Sequence, residues 1–145
     1  MAVGGAVSRS IVRVGVHLVW ATKHRAPCLE APIRRQVILV LASIAKRQRC
    51  RPVEINGWLD HVHLYLKISP EIALARLVVS LKANSSRWIR LNVPTLPEFQ
   101  WQRGFWAYSV DPRDDANLRA YIRSQEEIHA QRALVPARRM IVSAP

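Results

Sequence analysis

Hydrophobic and polar positions alternate along the first part of the chain. Between Ile11 and Thr22, Val12, Val14, Val16, Leu18 and Trp20 share one face, with His17 and Val19 on the other, a period of two that predicts a strand. Pro32 suits the first turn of a helix, and Ile33, Val37, Val40, Leu41 and Ile44 follow at helical spacing to about Gln48. Arg51 to Trp58 reads as a second strand. Leu59-Asp60 then makes a tight connection into a third strand, giving an antiparallel hairpin. In that third strand Val62, Leu64 and Leu66 alternate with His61, His63 and Tyr65. Ser69, Pro70 and Glu71 carry the cap, first-position and first-turn signals of a second helix, with Leu74, Leu77, Val78 and Leu81 as its stripe and Arg90 near its end. The aromatic stretch Phe99 to Val110 is expected to be mostly a fourth strand with core packing. After the Asp111-Pro112 turn, Asp114 or Asp115 caps a third helix with Leu118, Ile122 and Ile128 buried. Tyr121 and Gln125, four residues apart, share a face of that helix.

The element order is therefore β-α-β-β-α-β-α. It predicts an α+β fold, ferredoxin-like or RRM-like, in which an antiparallel sheet carries helices on one face and leaves the other free for a ligand or partner. Residues 11–131 form this domain. Residues 1–10 read as a loose leader and 132–145 as a basic, proline-bearing tail.

Composition narrows the partner. Twenty-two Lys and Arg against ten Asp and Glu leave a net charge of +12, distributed through the chain, which favours a polyanion and above all nucleic acid. The apolar start lacks the charged flank of a signal peptide, and the longest apolar run is too short to span a bilayer. Cys28 and Cys50 form neither a disulfide framework nor a zinc motif. A cytoplasmic protein is expected. No glycine-rich phosphate loop or Ser-His-Asp order is present.

The chemistry centres on Asp60-His61-Val62-His63. Both imidazoles leave the same face of a strand, so they can grip one divalent ion when a third ligand arrives. Gln125, Asp60, Glu126, Glu127 and His129 are the candidates for that ligand. Such an ion could stabilise charge in phosphodiester displacement, with water or a side chain as nucleophile. Tyr65, Tyr108 and Tyr121 are the tyrosines available, and spacing alone does not choose among them. Lys23 and Arg25, in the basic loop after the first strand, could meet phosphates, and aromatics beside Arg103 could stack on bases.

Five stretches, in order, carry a resemblance: His17 to Lys23, Asp60 to Leu64, Lys82 to Trp88, Trp101 to Phe105 and Tyr121 to Glu127. Together the span from about His17 to His129 resembles the single-tyrosine HUH transposases, the insertion sequence 200 family and its REP-associated relatives. The resemblance implies an enzyme that cuts and rejoins single-stranded DNA. His61, His63 and Gln125 would bind Mg²⁺ or Mn²⁺. Tyr121 would form a 5′-phosphotyrosyl link and free a 3′-OH. Partners would be DNA hairpins at element ends and a second copy of the chain, in a homodimer that often shares active sites. The matching stretches add Lys82, Ser85, Ser86 and Arg87 to Lys23, Arg25 and Arg103 as candidate DNA contacts. The likeness fades after Gln125-Glu126-Glu127. Ile128 precedes His129, and the segment from Arg132 to Pro145 has three arginines, two prolines and no acid where relatives have an acidic helical tail. A DNA contact peculiar to this chain and a decaying copy are the two readings of that tail. Two other functional classes stay open: a non-catalytic RRM-like nucleic-acid-binding domain, and a metal-dependent phosphodiesterase that uses water.

Overall fold

The computed structural model describes residues 10–133, so nearly all of the expected leader and the tail from residue 134 onward lie outside the described residues. Four strands form one antiparallel sheet in the order β2-β3-β1-β4, where β1 is Gly15–Ala21, β2 Arg51–Gly57, β3 His61–Lys67 and β4 Trp106–Val110. This is the ferredoxin-like arrangement expected from the element order. Helix α1 (Ala31–Arg47) connects β1 to β2, and α2 (Leu74–Asn92) connects β3 to β4.

The pleat explains which face is core. Val16, Leu18 and Trp20 of β1 and Val62, Leu64 and Leu66 of β3 point to one side. There they bury against Val37, Leu41 and Ile44 of α1 and Leu77, Val78 and Leu81 of α2. The alternate residues, His17, His61, His63 and Tyr65, leave the opposite face.

That second face is not free. Helices α3 (Asp115–Arg123) and α4 (Gln125–Ala133) cover it over β2 and β3. Three bonds fasten α3 there: Tyr65 Oη donates to Asp115 Oδ1 at 2.6 Å, Asn56 Nδ2 to the Arg123 carbonyl at 3.1 Å, and Arg123 pairs with Glu54 at 3.0 Å. The expected single third helix breaks at Ser124. The Tyr121 carbonyl accepts from Ser124 Oγ at 3.0 Å and from Gln125 Nε2 at 3.3 Å, and such side-chain bonds compete with the helical ladder.

Three other boundaries differ from expectation. β1 begins at Gly15 rather than Ile11, because its partner β3 ends opposite it at Lys67; Ile11, Val12 and Val14 are exposed. Ser69 caps a turn rather than the helix. Its Oγ accepts from the Glu71 amide at 3.2 Å, and α2 starts only at Leu74. Of the aromatic stretch only Trp106–Val110 is strand. Phe99 and Trp101 are core residues instead, and the Trp101 indole donates to buried Ser85 Oγ at 2.9 Å. The β2-β3 hairpin forms as expected, and Gly57 is required in it: a Cβ there would run into the His61 carbonyl.

Candidate active site

The site begins with the register of the two central strands. His17 of β1 lies opposite Tyr65, one pleat from the Val19–His63 pair, so the odd-numbered residues of β1 share a face with the two imidazoles of β3. His17, His61 and His63 are all buried. His129 comes from α4. Four of the five histidines thus meet beneath the α3-α4 break.

Hydrogen bonds orient the rings. His61 Nδ1 lies 2.7 Å from Asp60 Oδ1, whose other oxygen accepts from Arg25 Nε at 2.9 Å. Burial pushes the Asp60 carboxyl up, but its bonds to His61 and Arg25 outweigh that and hold it below the usual range. When His61 donates from Nδ1 to this carboxylate, its bare Nε2 turns inward. What Nε2 meets is Gln125 Oε1, 3.4 Å away and fully buried. Two acceptors then face one another, an arrangement that asks for a cation between them. His63 Nδ1 lies 2.9 Å from His17 Nε2. When His63 donates in that pair, its Nε2 is bare as well.

Burial keeps His17, His63 and His129 neutral. Burial, followed by the fields of His61, His17 and His129, lowers His63 to about 2, with hydrogen bonding to Gln125 pulling the other way. Burial lowers His17 to about 4. Burial, then His61, lowers His129 to about 4. Neutral imidazoles are what metal ligation needs. Among the described residues no three His, Cys, Asp or Glu side chains are grouped to hold an ion by themselves. The donors that converge are instead two imidazoles and a carboxamide oxygen, and this set fits a small divalent cation such as Mg²⁺ or Mn²⁺ with water completing its shell.

Tyr121 stands at the rim. Its ring centroid is 5.6 Å from His63 and 6.5 Å from His17, both edge-on, and the residue is 39% exposed. Of the other two tyrosines, Tyr65 is fully buried with its hydroxyl bonded to Asp115, and Tyr108 approaches His17 at 6.3 Å but, unlike Tyr121, makes no ring contact with His63 among the described residues. Nucleophile candidate and histidines belong to the same chain.

Gln125 is held from behind. Buried Arg34 of α1 donates to the Leu29 carbonyl and to Glu126 Oε1, both at 2.7 Å, and lies over the Trp58 ring at 5.3 Å. Trp58 stacks on His129 at 5.6 Å, and His129 Nε2 lies 3.1 Å from Gln125 Oε1. Sequence reasoning gave His17, Arg34 and Trp58 no part in the site. His17 was findable, because its parity on the first strand matches His61 and His63 once the ferredoxin-like order sets those strands side by side. Arg34 and Trp58 left no such signal.

The candidate DNA contacts divide. Arg25, Arg87 and Arg103 are exposed. Lys23 donates to Gln100 Oε1 at 3.0 Å. Lys82 donates to the carbonyls of Gln102 and Gly104 at 2.6 and 2.8 Å, so it shapes a loop. Ser86 bonds within its own helix to Ala83 and accepts from Arg90. Ser85 must be withdrawn as a contact, because it is fully buried under the Trp101 indole.

The chain is similar to known proteins in sequence and in fold. The family described as "Transposase IS200 like" matches residues 10–125. The ISDra2 transposase TnpA of Deinococcus radiodurans is 28% identical over 122 residues, covering 81% of this chain and 87% of that protein. The transposase of insertion sequence element IS200 from Salmonella typhimurium is 29% identical over 115 residues, covering 77% of this chain and 76% of the relative. A crystal structure from Deinococcus radiodurans R1 superimposes with a TM-score of 0.68 at 25% identity, covering 86% of this chain and 98% of that one. A REP-associated tyrosine transposase bound to a REP hairpin shares the fold, with a TM-score of 0.63 at 12% identity over 87% of this chain and 74% of that one.

Proposed function

The chain belongs to the IS200-like transposase family, enzymes that cleave DNA and transfer its strands, and from that premise we propose that it cuts and rejoins single-stranded DNA with Tyr121 as the nucleophile and with Mg²⁺ or Mn²⁺ held by His61, His63 and Gln125. One observation carries the reading. A half-exposed phenol stands edge-on against His63, which burial keeps neutral, and beside it His61 Nε2 faces a buried carboxamide oxygen.

In the cleavage step Tyr121 Oη attacks the scissile phosphorus and its proton passes to solvent. The bond from phosphorus to the 3′ oxygen breaks, and that oxygen leaves as a 3′-OH after taking up a proton. The 5′ phosphate remains as an ester on Tyr121. Rejoining reverses the exchange: a 3′-OH attacks the phosphotyrosine, and the phenol is restored. A bound divalent ion would supply Lewis acidity to the phosphate. The chain supplies position. Asp60 and His17 orient the two ligand imidazoles, and the Arg34–Glu126 and Trp58–His129 contacts hold α4 so that Gln125 faces them.

The substrate is a strand with a hairpin near its cleavage site, and the protein acts as a homodimer in the cytoplasm. The charge of +12 supports a nucleic-acid partner, and no helix among the described residues is long and apolar enough to cross a membrane. The resemblance implies sharing of active sites between subunits, while within the single chain described Tyr121 stands beside His63. The test is incubation with labelled single-stranded DNA from the gene's own flanks. Wild type with Mn²⁺ should give a covalent protein–DNA band that Tyr121→Phe lacks. Cleavage that survives Tyr121→Phe would favour a water-using phosphodiesterase. Binding with no cleavage under any metal would favour a non-catalytic domain.

A further inference from the structure

Val19 of β1 is paired on one side with His63 of β3 and on the other with Trp106 of β4. Directly opposed residues of antiparallel strands project to the same face. The Trp106 indole and the His63 imidazole therefore share one surface, two strands or about 10 Å apart. Helices α3 and α4 roof β2 and β3, and Trp106 lies outside that roof, 47% exposed beside the exposed Phe105. An indole half in water on this face keeps part of its ring open to a ligand.

The ground beside it is built for an anion with an aromatic part. A cavity of about 390 Å³ is lined by Ala21, Arg25, Arg103, Phe105 and Trp106, among others. Ala21 is the strand partner of His61, so the cavity adjoins the imidazole end of β3. Arg103 brings a cation, and Arg25, already paired with Asp60, lies beside it. The loop that shapes the cavity is pinned: Lys82 holds the Gln102 and Gly104 carbonyls, and the Gln102 amide donates to the Ala21 carbonyl at 2.9 Å. The site is thus preformed, which lowers the ordering cost of binding.

We propose that Trp106 is the stacking surface for one unpaired base of the substrate strand, next to the phosphate at Tyr121, with Phe105 bounding the base and Arg103 meeting the backbone. The proposal rests on the single-stranded DNA reading above. Bases within a duplex have their faces covered by neighbours, whereas an unpaired base offers its face to an indole whatever its identity. A second copy of the chain seated on Trp106 is the competing occupant.

The experiment measures affinity of the full chain for flank-derived single strands in which one abasic position is walked along the sequence. With wild type, one position near the cleavage site should weaken binding about tenfold, within the range of base–aromatic stacking. Trp106→Ala should show the same loss on the intact strand and no further loss at that position. Trp106→Phe should recover most of the affinity, and both variants should still form the Tyr121 adduct at saturating DNA. Unchanged affinity in Trp106→Ala overturns the proposal. So does a loss by that variant accompanied by dissociation of a dimer on gel filtration, or a Trp106→Phe variant as weak as Trp106→Ala in a folded protein. If wild type binds no single strand, the DNA reading itself fails and the stacking site with it. Adduct formation without a Trp106-dependent position removes the stacking site alone.

Discussion

His17 Nε2 lies 2.9 Å from His63 Nδ1, and burial lowers both rings far enough to keep them neutral. One of the two nitrogens must donate. If His63 donates, its Nε2 lone pair is fixed toward Gln125 and the metal position. His17→Phe should then weaken Mn²⁺ binding by about tenfold to a hundredfold, the usual cost of losing such a supporting bond, with the fold retained. His17→Asn, which can still accept, should recover part of it. An Mn²⁺ titration followed by electron paramagnetic resonance would check both, and unchanged affinity in His17→Phe would show that His63 needs no support.

Acid should unfold the protein through the same rings. His17, His63 and His129 are held below the ordinary imidazole value, so the unfolded chain binds more protons than the folded one between about pH 6.5 and the lowered values. The stability they contribute is complete above pH 6.5. It falls as pH drops through about 4 for His17 and His129, and further toward about 2 for His63. Calorimetry on the metal-free protein should show Tm dropping steadily below pH 6.5. A flat Tm down to pH 4 would mean the rings are not shielded as described.

The Arg34–Glu126 pair should be asymmetric. Arg34 is buried and serves the Leu29 carbonyl as well, whereas the Glu126 side chain is 54% exposed. Arg34→Ala should cost about 2–4 kcal/mol, since it leaves a cavity, an unpaired carbonyl and an undone ion pair. Glu126→Gln keeps a hydrogen-bonding oxygen and should cost under about 1 kcal/mol. Urea unfolding would measure both, and equal costs would argue against this division.

Gly57 should be irreplaceable. A Cβ there collides with the His61 carbonyl, which belongs to rigid strand backbone. Gly57→Ala should destabilise by about 2–3 kcal/mol and should also weaken Mn²⁺ binding, because the shifted backbone carries His61. Full metal affinity in a destabilised Gly57→Ala protein would separate the hairpin from the site.

Mixed dimers test where the tyrosine works. Tyr121 lies 5.6 Å from His63 of its own chain, centroid to centroid. Combining Tyr121→Phe subunits with His61→Ala, His63→Ala subunits should therefore restore no cleavage, because neither chain holds a whole site. Recovered cleavage in verified heterodimers would show that α3 crosses to the partner when DNA is bound.

The sequence by itself determined the sheet and its helices, since periods of two and 3.6 are local and every core position they marked on β1 and β3 from Val16 onward is buried. It also put His61 and His63 on one face, because two residues along a strand settle that without any partner. Helix limits were less legible: Ser69 satisfies a turn just as well as a cap, and only the bonds it accepts from Glu71 and Ile72 show which it does. The free face expected of the sheet was lost to α3 and α4, whose break at Ser124 depends on side chains competing for the Tyr121 carbonyl. The assembly of the candidate site, and the part His17, Arg34 and Trp58 play in it, belonged to tertiary structure. His17, His61 and His129 lie far apart along the chain, and no local pattern links them. Strand register brought His17 to His63, and the Arg34 and Trp58 contacts brought α4, with Gln125 and His129, over His61. Long-range packing decides such pairings, and no short run of sequence carries it.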